Sequence, residues 1–553
     1  MKEKHSKNNF IMQAGILAAA GMISRVIGLL YRSPLHRVIG KIGLGYYSSA
    51  YNYYTIVLLI SSYSIPAAIS KVIAQKLGAG EYRNAHRIFR CAIWYVLTVG
   101  TVASLFLFFA AGRFVAPEAI PVLRTFAPTV FIYGLLGVLR GYFQAHRTFT
   151  PTSVSQILEQ IANAVVSVGA AVLLIRIGLS NGSIPDTDAG AAARGIRGAI
   201  GSAMGTGAGV VTALLFMTWV YFANRKDIFR RIRKDTHEKN DSYGEIFRMI
   251  TLVVTPFILN TAVYNLCGTV NNYLFTKIYP AVKQLDTVEI HARWGLYSGQ
   301  AMTISNIPIA FASAMAVAMI PTVSALTAEG KLDEILRKLR LAVKSTMILS
   351  IPCAVGLFVL AKPITHLLFP TNSLQDDQTS AGYLMALALS VVFYALSTLN
   401  SQVLQGLGRV NAPIVNAAIA LALQTVLAVV LVFFTPMGLM GIVVSGTIYA
   451  AVMYCLNQRS VHRAVGYEQE FRETFFLPLC ASVLMGAAAK AFYELIYAFS
   501  GNNPISLFVS IGLAAVIYFV VLLLLGGVSE QELAAFPKGH LLVKAARKCK
   551  LLR

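Results

Sequence analysis

The strongest constraint on this chain is a series of long apolar runs that continues from one end to the other. A helix needs about 20 apolar residues to cross the hydrocarbon core of a bilayer. Only 13% of the residues are charged, against about 25% in a soluble globular domain, so a soluble enzyme is excluded. The runs are too long for strands and lack an alternation of period two. They predict an all-α polytopic membrane protein with fourteen transmembrane helices, at approximately 10–31, 48–76, 88–111, 121–145, 152–178, 196–222, 246–278, 294–326, 340–361, 380–406, 411–434, 437–457, 474–499 and 504–526.

Basic residues outnumber acidic residues by 47 to 24, which gives a net charge of +23. In a soluble domain such an excess would suggest a nucleic-acid partner. With the N-terminus in the cytoplasm, 31 basic residues fall on the cytoplasmic side of the predicted helices and 12 on the opposite side. Membrane proteins keep Lys and Arg in their cytoplasmic loops. The distribution therefore predicts a multi-pass cell-membrane protein with both termini cytoplasmic and no nucleic-acid partner.

Three short motifs recur in the same order in the two halves of the chain, pairing 80–87 with 330–337, 144–151 with 406–413, and 195–202 with 438–445. Each copy contains six predicted helices, so equivalent elements enter the membrane from the same side. A parallel repeat of this kind is typical of transporters whose two lobes move about a central site. The predicted division is an N-terminal six-helix lobe at 1–222, a basic cytoplasmic linker at 223–245, a C-terminal six-helix lobe at 246–457, two extra helices at 458–526 and a basic cytoplasmic tail at 527–553.

Polar side chains inside apolar runs are costly in a membrane and often mark functional sites. The N-terminal half places cations and one carboxylate there, whereas the C-terminal half places amides and hydroxyls, some of which would join helices. A cavity between the lobes would suit an anionic head group, because arginine forms paired hydrogen bonds with phosphate oxygens. The residues predicted to line this central cavity are Arg25, Arg32, Lys71, Arg140, Gln144, Glu159, Asn163, Asn260 and Gln300.

Several of the charges inside the runs have simpler alternatives. Arg140 and Glu159 could form an internal ion pair instead of binding a ligand. Lys71 could extend its ammonium group to the cytoplasmic interface. Lys490 in the thirteenth predicted helix could pair with Glu494, four residues later on the same helical face.

Signatures of catalysis and of metal binding are absent from the sequence. It contains neither the phosphate-binding motif G-x-x-x-x-G-K-[ST] nor the zinc motif H-E-x-x-H, and its six cysteines show no C-x-x-C spacing. A glycine-rich segment at 205–209 lies inside an apolar run and predicts close helix packing, not a phosphate loop. The sequence thus predicts a protein that is not an enzyme, without a cofactor or a metal, whose energy comes from an ion gradient, the membrane potential or another protein.

The Ser24–Gly28 motif, the segments 80–87 and 144–151, and Leu404–Arg409 with Pro413 together resemble the MOP (multidrug/oligosaccharidyl-lipid/polysaccharide) exporter superfamily. Within it, the chain is most similar to the branch of stage V sporulation protein B and the MurJ-type proteins. The resemblance implies that an undecaprenyl-pyrophosphate-linked saccharide, typically the peptidoglycan precursor lipid II, is flipped by alternating access. It also implies that Arg25 lines the central cavity and that the last two helices form a groove for the lipid tail.

The sequence departs from this branch at two places. Where MurJ-type proteins carry further cavity arginines, this chain has Ser61-Ser62 and Gln300, and its seventh and eleventh predicted helices contain no acidic residue of the kind that some members use for sodium. Two alternatives stay open, a cation-coupled multidrug exporter of the same fold and a non-transporting membrane scaffold in wall synthesis or sporulation. The expected partners are the anionic lipid-linked saccharide, the bilayer and cell-wall synthesis proteins.

Overall fold

The computed structural model describes residues 20–528 apart from 64, 147, 186–189, 234, 236–240, 318 and 372. These residues are almost entirely helical and include no strand, which confirms the all-α prediction. The chain forms two compact units, Met1–Gly299 and Gln300–Arg553.

The first unit contains eleven described α-helices. They are α1 Ala20–Leu30, α2 Arg32–Leu58, α3 Ile65–Gly78, α4 Tyr82–Phe114, α5 Ile120–Ala145, α6 Thr150–Ser180, α7 Ala191–Ala223, α8 Arg225–Arg233, α9 Tyr243–Tyr273, α10 Tyr279–Lys283 and α11 Thr287–Trp294.

The second unit contains the remaining described helices. Among the residues that the structure describes, π-helical segments lie at four places, Leu59–Tyr63, Leu274–Ile278, Gly295–Ala301 and Arg472–Phe476, and the last of these directly precedes the helix that begins at Leu477. The helices of the second unit are α12 Met302–Val317, α13 Met319–Ala328, α14 Leu332–Val359, α15 Ala361–Leu368, α16 Leu374–Gly406, α17 Asn411–Phe434, α18 Leu439–Val465, α19 Leu477–Ser500 and α20 Asn503–Leu524.

Ten helices of the described chain are long and apolar enough to cross a membrane, and they correspond to the third to sixth and the ninth to fourteenth predicted helices. The predicted total of fourteen is therefore not established by these helices. The other four are the first two of each predicted repeat, at 10–31, 48–76, 246–278 and 294–326. Only α1 of the first of them lies within the described residues, and each of the other three contains a π-helical segment. Such segments are frequent at functional sites, and discontinuous helices form the binding sites of many transporters.

Close contact between α6 and α7 organises the first unit. A Cβ atom at Gly205 would collide with Ser167 of α6, and a Cβ atom at Gly201 would collide with the backbone of Ala171. Small residues let two helix backbones approach in a membrane, where burial from water supplies no driving force. The predicted packing role of the segment 205–209 is confirmed, and the contact places one face of α6 beside α7.

Buried amides join α16, α17 and α18 in the second unit. Asn457 Nδ2 donates to Ser397 Oγ at 3.1 Å, and Asn416 Nδ2 donates to Asn457 Oδ1 at 2.9 Å. Asn400 Nδ2 donates to Gln458 Oε1 at 3.0 Å. The amides of this half therefore include interhelical hydrogen bonds, as the sequence predicted.

The predicted division into lobes stays a prediction. The two compact units meet in sequence between Gly299 and Gln300, whereas the predicted lobes end at 222 and begin again at 246. The linker 223–245 contains a helix of its own, α8. Most of the predicted tail 527–553 lies outside the described residues.

Candidate functional site

The first unit contains a cavity of about 240 Å³ whose walls come from α1, α2, α5, α6 and α7. Three of the predicted site residues, Arg32, Glu159 and Asn163, line it together with Gln160 and Thr206. Much of the remaining wall is aromatic, and we refer to this site as the tyrosine cavity. Its tyrosines are Tyr31, Tyr47, Tyr51, Tyr54 and Tyr133.

The spacing of residues on α2 brings three of these tyrosines to one side of the helix. Tyr47, Tyr51 and Tyr54 follow one another at intervals of four and three residues, which places them on a single face. The ring of Tyr54 stacks on Phe126 of α5 with centroids 4.7 Å apart, and the Tyr47 hydroxyl lies 3.4 Å from Thr206 Oγ1 of α7. The aromatic wall is therefore held in place by two neighbouring helices.

Arg140 of α5 and Glu159 of α6 form an ion pair, with Arg140 Nη2 and Glu159 Oε2 2.8 Å apart. Arg140 Nε also donates to Ser155 Oγ at 2.9 Å. The side chains are only 6% and 16% exposed, so the pair is largely removed from solvent. The structure therefore confirms the simpler alternative, in which Arg140 and Glu159 form an internal ion pair. Glu159 lines the tyrosine cavity, but its negative charge is balanced by Arg140.

Arg32, at the start of α2, is the one cation among the described residues that line the tyrosine cavity. Asn163 Oδ1 accepts a hydrogen bond from Ser167 Oγ at 2.9 Å, and Asn163 Nδ2 donates to the Tyr31 hydroxyl at 3.5 Å. The charged groups of the lining are thus the Arg32 guanidinium and the Glu159 carboxylate, and the carboxylate is paired with Arg140. Hydroxyls, amides and one guanidinium together can bind the oxygens of an anionic, hydroxylated group.

The other predicted site residues do not line this cavity. Arg25 is exposed on α1, three residues before the lining residue Gly28, and Lys71 is exposed on α3. Gln144 is half-buried near the end of α5. Their assignment to a central cavity stays a prediction.

Two predicted residues lie elsewhere in the chain. Asn260 belongs to α9, but its side chain lies outside the described residues. Gln300 is buried and is the first residue of the second unit. Their predicted role in a cavity between the lobes is likewise untested.

The tyrosines of α2 are the main feature of the site that the sequence analysis missed. Their spacing of four and three residues was a usable signal, since it places three hydroxyl-bearing rings on one helical face. The pair Lys490 and Glu494, by contrast, forms as the simpler alternative predicted, with 3.9 Å between Nζ and Oε1 and both side chains exposed. Among the described residues, no group of three or more His, Cys, Asp or Glu side chains is placed to hold a metal ion.

Comparison with known proteins decides the family. The family model "Lipid II flippase MurJ" matches residues 88–511. The chain belongs to this family. It is 23% identical to lipid II flippase MurJ of Bacillus subtilis (strain 168) over 507 residues, which cover 89% of this chain and 88% of that protein. It is 24% identical to stage V sporulation protein B of the same organism over 549 residues, covering 98% of this chain and 100% of that relative.

Solved structures match the fold of this MurJ-family protein. An inward-facing multidrug resistance MATE family transporter of the MOP superfamily matches with a TM-score of 0.63 at 16% identity, covering 80% of this chain and 95% of that chain. Lipid II flippase MurJ in an inward closed conformation matches with a TM-score of 0.61 at 15% identity, covering 91% and 97%. The family model confirms the predicted resemblance to the MurJ branch, the solved structures show the predicted fold, and the protein is a multi-pass membrane protein. Arg140, Glu159 and Asn163 lie within the segment matched by the MurJ family model, whereas Arg32 and the α2 tyrosines precede it.

Proposed function

We propose that this protein is a flippase that moves an undecaprenyl-pyrophosphate-linked saccharide, lipid II or a related polysaccharide precursor, across the cell membrane by alternating access. The observation that carries the proposal is the match of the MurJ family model to residues 88–511. The role would be transport for cell-wall or polysaccharide biosynthesis, without chemical conversion of the substrate. The substrate lipid and the surrounding bilayer are its partners in this proposal, and cell-wall synthesis proteins are candidate further partners.

The tyrosine cavity supports this proposal through its guanidinium and its neutral hydrogen-bonding groups. A pyrophosphate-linked sugar presents anionic oxygens next to many hydroxyl groups. Arg32 would donate a charge-assisted hydrogen bond to a phosphate oxygen, and the tyrosine hydroxyls and Asn163 would bind neutral oxygens. The pairing of Glu159 with Arg140 at 2.8 Å keeps the carboxylate from repelling an anion.

The proposal includes the topology and the remaining site residues. Both termini would lie in the cytoplasm, in agreement with the bias of 31 to 12 basic residues between the two sides of the predicted helices. The two six-helix lobes would move about a central path, and the helices at 474–499 and 504–526 would hold the lipid tail. Arg25, exposed on α1, would meet the substrate along that path.

A cation-coupled multidrug exporter is the second candidate, because the chain also resembles a multidrug MATE structure with a TM-score of 0.63. An exporter of cationic drugs needs a free carboxylate in its cavity. Glu159 lines the tyrosine cavity, but it is engaged with Arg140. The flippase is therefore the better supported candidate.

Depletion of the protein in its own cells tests the proposal. We expect an undecaprenyl-linked intermediate to accumulate on the cytoplasmic face, measured by extraction and mass spectrometry of the lipid-linked pool. Wild-type protein should clear this pool, whereas Arg32→Gln should clear it about tenfold more slowly, the loss expected from removing one charge-assisted hydrogen bond. Arg37→Gln is the matched control, since Arg37 is exposed on the same helix and does not line the cavity.

The outcomes separate the candidates. An unchanged lipid-linked pool, together with increased sensitivity to cationic drugs, would favour the exporter. An unchanged pool without drug sensitivity would favour a scaffold. Equal clearance by Arg32→Gln and by wild type, at equal abundance in the membrane, would remove Arg32 from the substrate site.

A further inference from the structure

A second cavity, of about 230 Å³, lies in the first unit where α8 packs against the adjoining ends of α3, α4 and α5. Part of its wall is apolar and includes Leu77, Phe143 and Ile228. Another part is polar and includes Arg231 and His86. We refer to it as the linker cavity, because α8 lies in the linker predicted at 223–245. It shares no lining residue with the tyrosine cavity.

The helix α8 is basic, amphipathic and attached to α4. Five of its nine residues are Lys or Arg, and its apolar residues Ile228, Phe229 and Ile232 are half-buried. The ring of Phe229 lies 5.5 Å from that of His86, measured between centroids. Just beyond α8, Asp235 Oδ2 accepts a hydrogen bond from the Arg83 backbone N–H at 2.6 Å. The linker cavity therefore has a fixed wall on the α8 side.

The polar side of the linker cavity contains the Arg231 guanidinium, which is exposed on α8, and a buried atom without a hydrogen bond. His86 Nδ1 is buried and has no hydrogen-bond partner among the described residues. A buried polar atom without a hydrogen bond costs free energy unless a ligand supplies the missing bond. His146 is also a lining residue, and its Nδ1 atom lies 2.9 Å from the Tyr142 carbonyl oxygen. Burial lowers the pKa of His146, and the Arg231 charge adds to the effect. Arg231 and His146 are both lining residues, so the Arg231 charge acts on a second polar group of the cavity. Asp227, exposed near the start of α8, is the acidic residue of the lining.

We propose that the linker cavity binds the head group of an anionic phospholipid from the cytoplasmic leaflet. Arg231 and His86 would bind the phosphate, and the apolar wall would contact the glycerol and the first acyl carbons. Basic amphipathic helices lie in the membrane interface and attract anionic lipids. A free phosphate ion fits less well, because the apolar part of the wall would face it without making a favourable contact. The site is independent of which substrate the protein transports.

The test uses the full-length protein in detergent, titrated with dioleoylphosphatidylglycerol and followed by native mass spectrometry. We expect Arg231→Gln to weaken lipid binding about tenfold, the effect of losing one charge-assisted hydrogen bond. Arg230→Gln is the matched control, since Arg230 is an exposed neighbour on the same helix that does not line the cavity. Asp227→Asn should strengthen binding, because it removes a negative charge from the lining.

A neutral lipid and inorganic phosphate serve as comparison ligands for the anionic lipid. Dioleoylphosphatidylcholine, which has no net charge, should bind more weakly than dioleoylphosphatidylglycerol. Inorganic phosphate should not displace the bound dioleoylphosphatidylglycerol. Equal weakening by Arg231→Gln and Arg230→Gln would mean diffuse surface attraction and would overturn the proposal. Displacement by phosphate alone, or binding of the neutral lipid with the same affinity, would also overturn it. The gain expected from Asp227→Asn cannot be produced by loss of folding.

Discussion

The buried ion pair between Arg140 and Glu159 links two helices of the first unit. Arg140 and Glu159 lie at 2.8 Å with little solvent exposure, and Ser155 occupies a further donor of the guanidinium. Each partner compensates for the loss of water around the other. The pair therefore fixes α5 against α6 and at the same time sets the charge of the tyrosine cavity.

Removing one partner should be much more damaging than removing both. We expect Arg140→Met to destabilise the protein by about 3–5 kcal/mol, because it leaves the Glu159 carboxylate buried without a counter-charge. The double variant Arg140→Met with Glu159→Leu should recover most of the loss. The measurement is the midpoint of thermal unfolding in detergent. Arg176→Met, at an exposed position of α6, is the control, and an equal drop for the control would contradict the prediction.

The close contact between α6 and α7 depends on glycines, which have no side chain. α6 and α7 approach through glycines of α7, with the Ser167 backbone directly opposite Gly205. Dispersion between close backbones replaces the hydrophobic driving force that a soluble protein would use. The contact matters for the site, because α6 carries Glu159 and Asn163 and α7 carries Thr206.

Replacing a glycine by alanine should disturb the α6–α7 contact at Gly205 but be tolerated at Gly169. We expect Gly205→Ala to destabilise the protein by about 1–3 kcal/mol, since the added atom collides with a backbone that cannot move easily. Gly169→Ala on α6 is the control, because nothing lies within 4 Å of the position that its Cβ would take. The thermal midpoints of the two variants give the comparison. Equal midpoints would show that the α6–α7 contact can relax.

At the scale of the whole molecule, the helices of the described residues can be compared with the six-helix repeat that the sequence predicts, which stays a prediction. The ten helices long and apolar enough to cross a membrane are the later four of each predicted six-helix repeat and the two extra helices, the first of which begins with the π-helical segment Arg472–Phe476. The four predicted helices left over are the first two of each repeat, and three of them contain π-helical segments. Movement during transport is expected at such interrupted helices.

The predicted orientation can be tested by labelling single cysteines in a cysteine-free background. Lys283→Cys lies on the predicted outer side and should react with a membrane-impermeant maleimide in intact cells. Lys331→Cys lies on the predicted cytoplasmic side and should react only after permeabilisation, because basic residues concentrate on that side. Gel-shift detection of the labelled protein gives the readout. Labelling of position 331 from outside would reverse the topology.

The sequence by itself determined that the chain forms membrane helices, because apolar runs of this length have few other stable structures in a bilayer. It also identified Arg140, Glu159, Asn163 and Arg32 as unusual, since polar groups are rare and costly inside such runs. Only the tertiary structure decided what each does. Arg140 and Glu159 are 19 residues apart on different helices, so their pairing depends on how α5 and α6 pack.

The tyrosine cavity depends on packing in the same way. Its walls come from five helices, and the sequence specifies the face that each helix presents but not the neighbour that it meets. The spacing of Tyr47, Tyr51 and Tyr54 determined a common face, whereas contact with Phe126 and Thr206 made that face the wall of a cavity. Periodicity is a local property that sequence contains directly, and the choice of partner is set by close packing between distant segments.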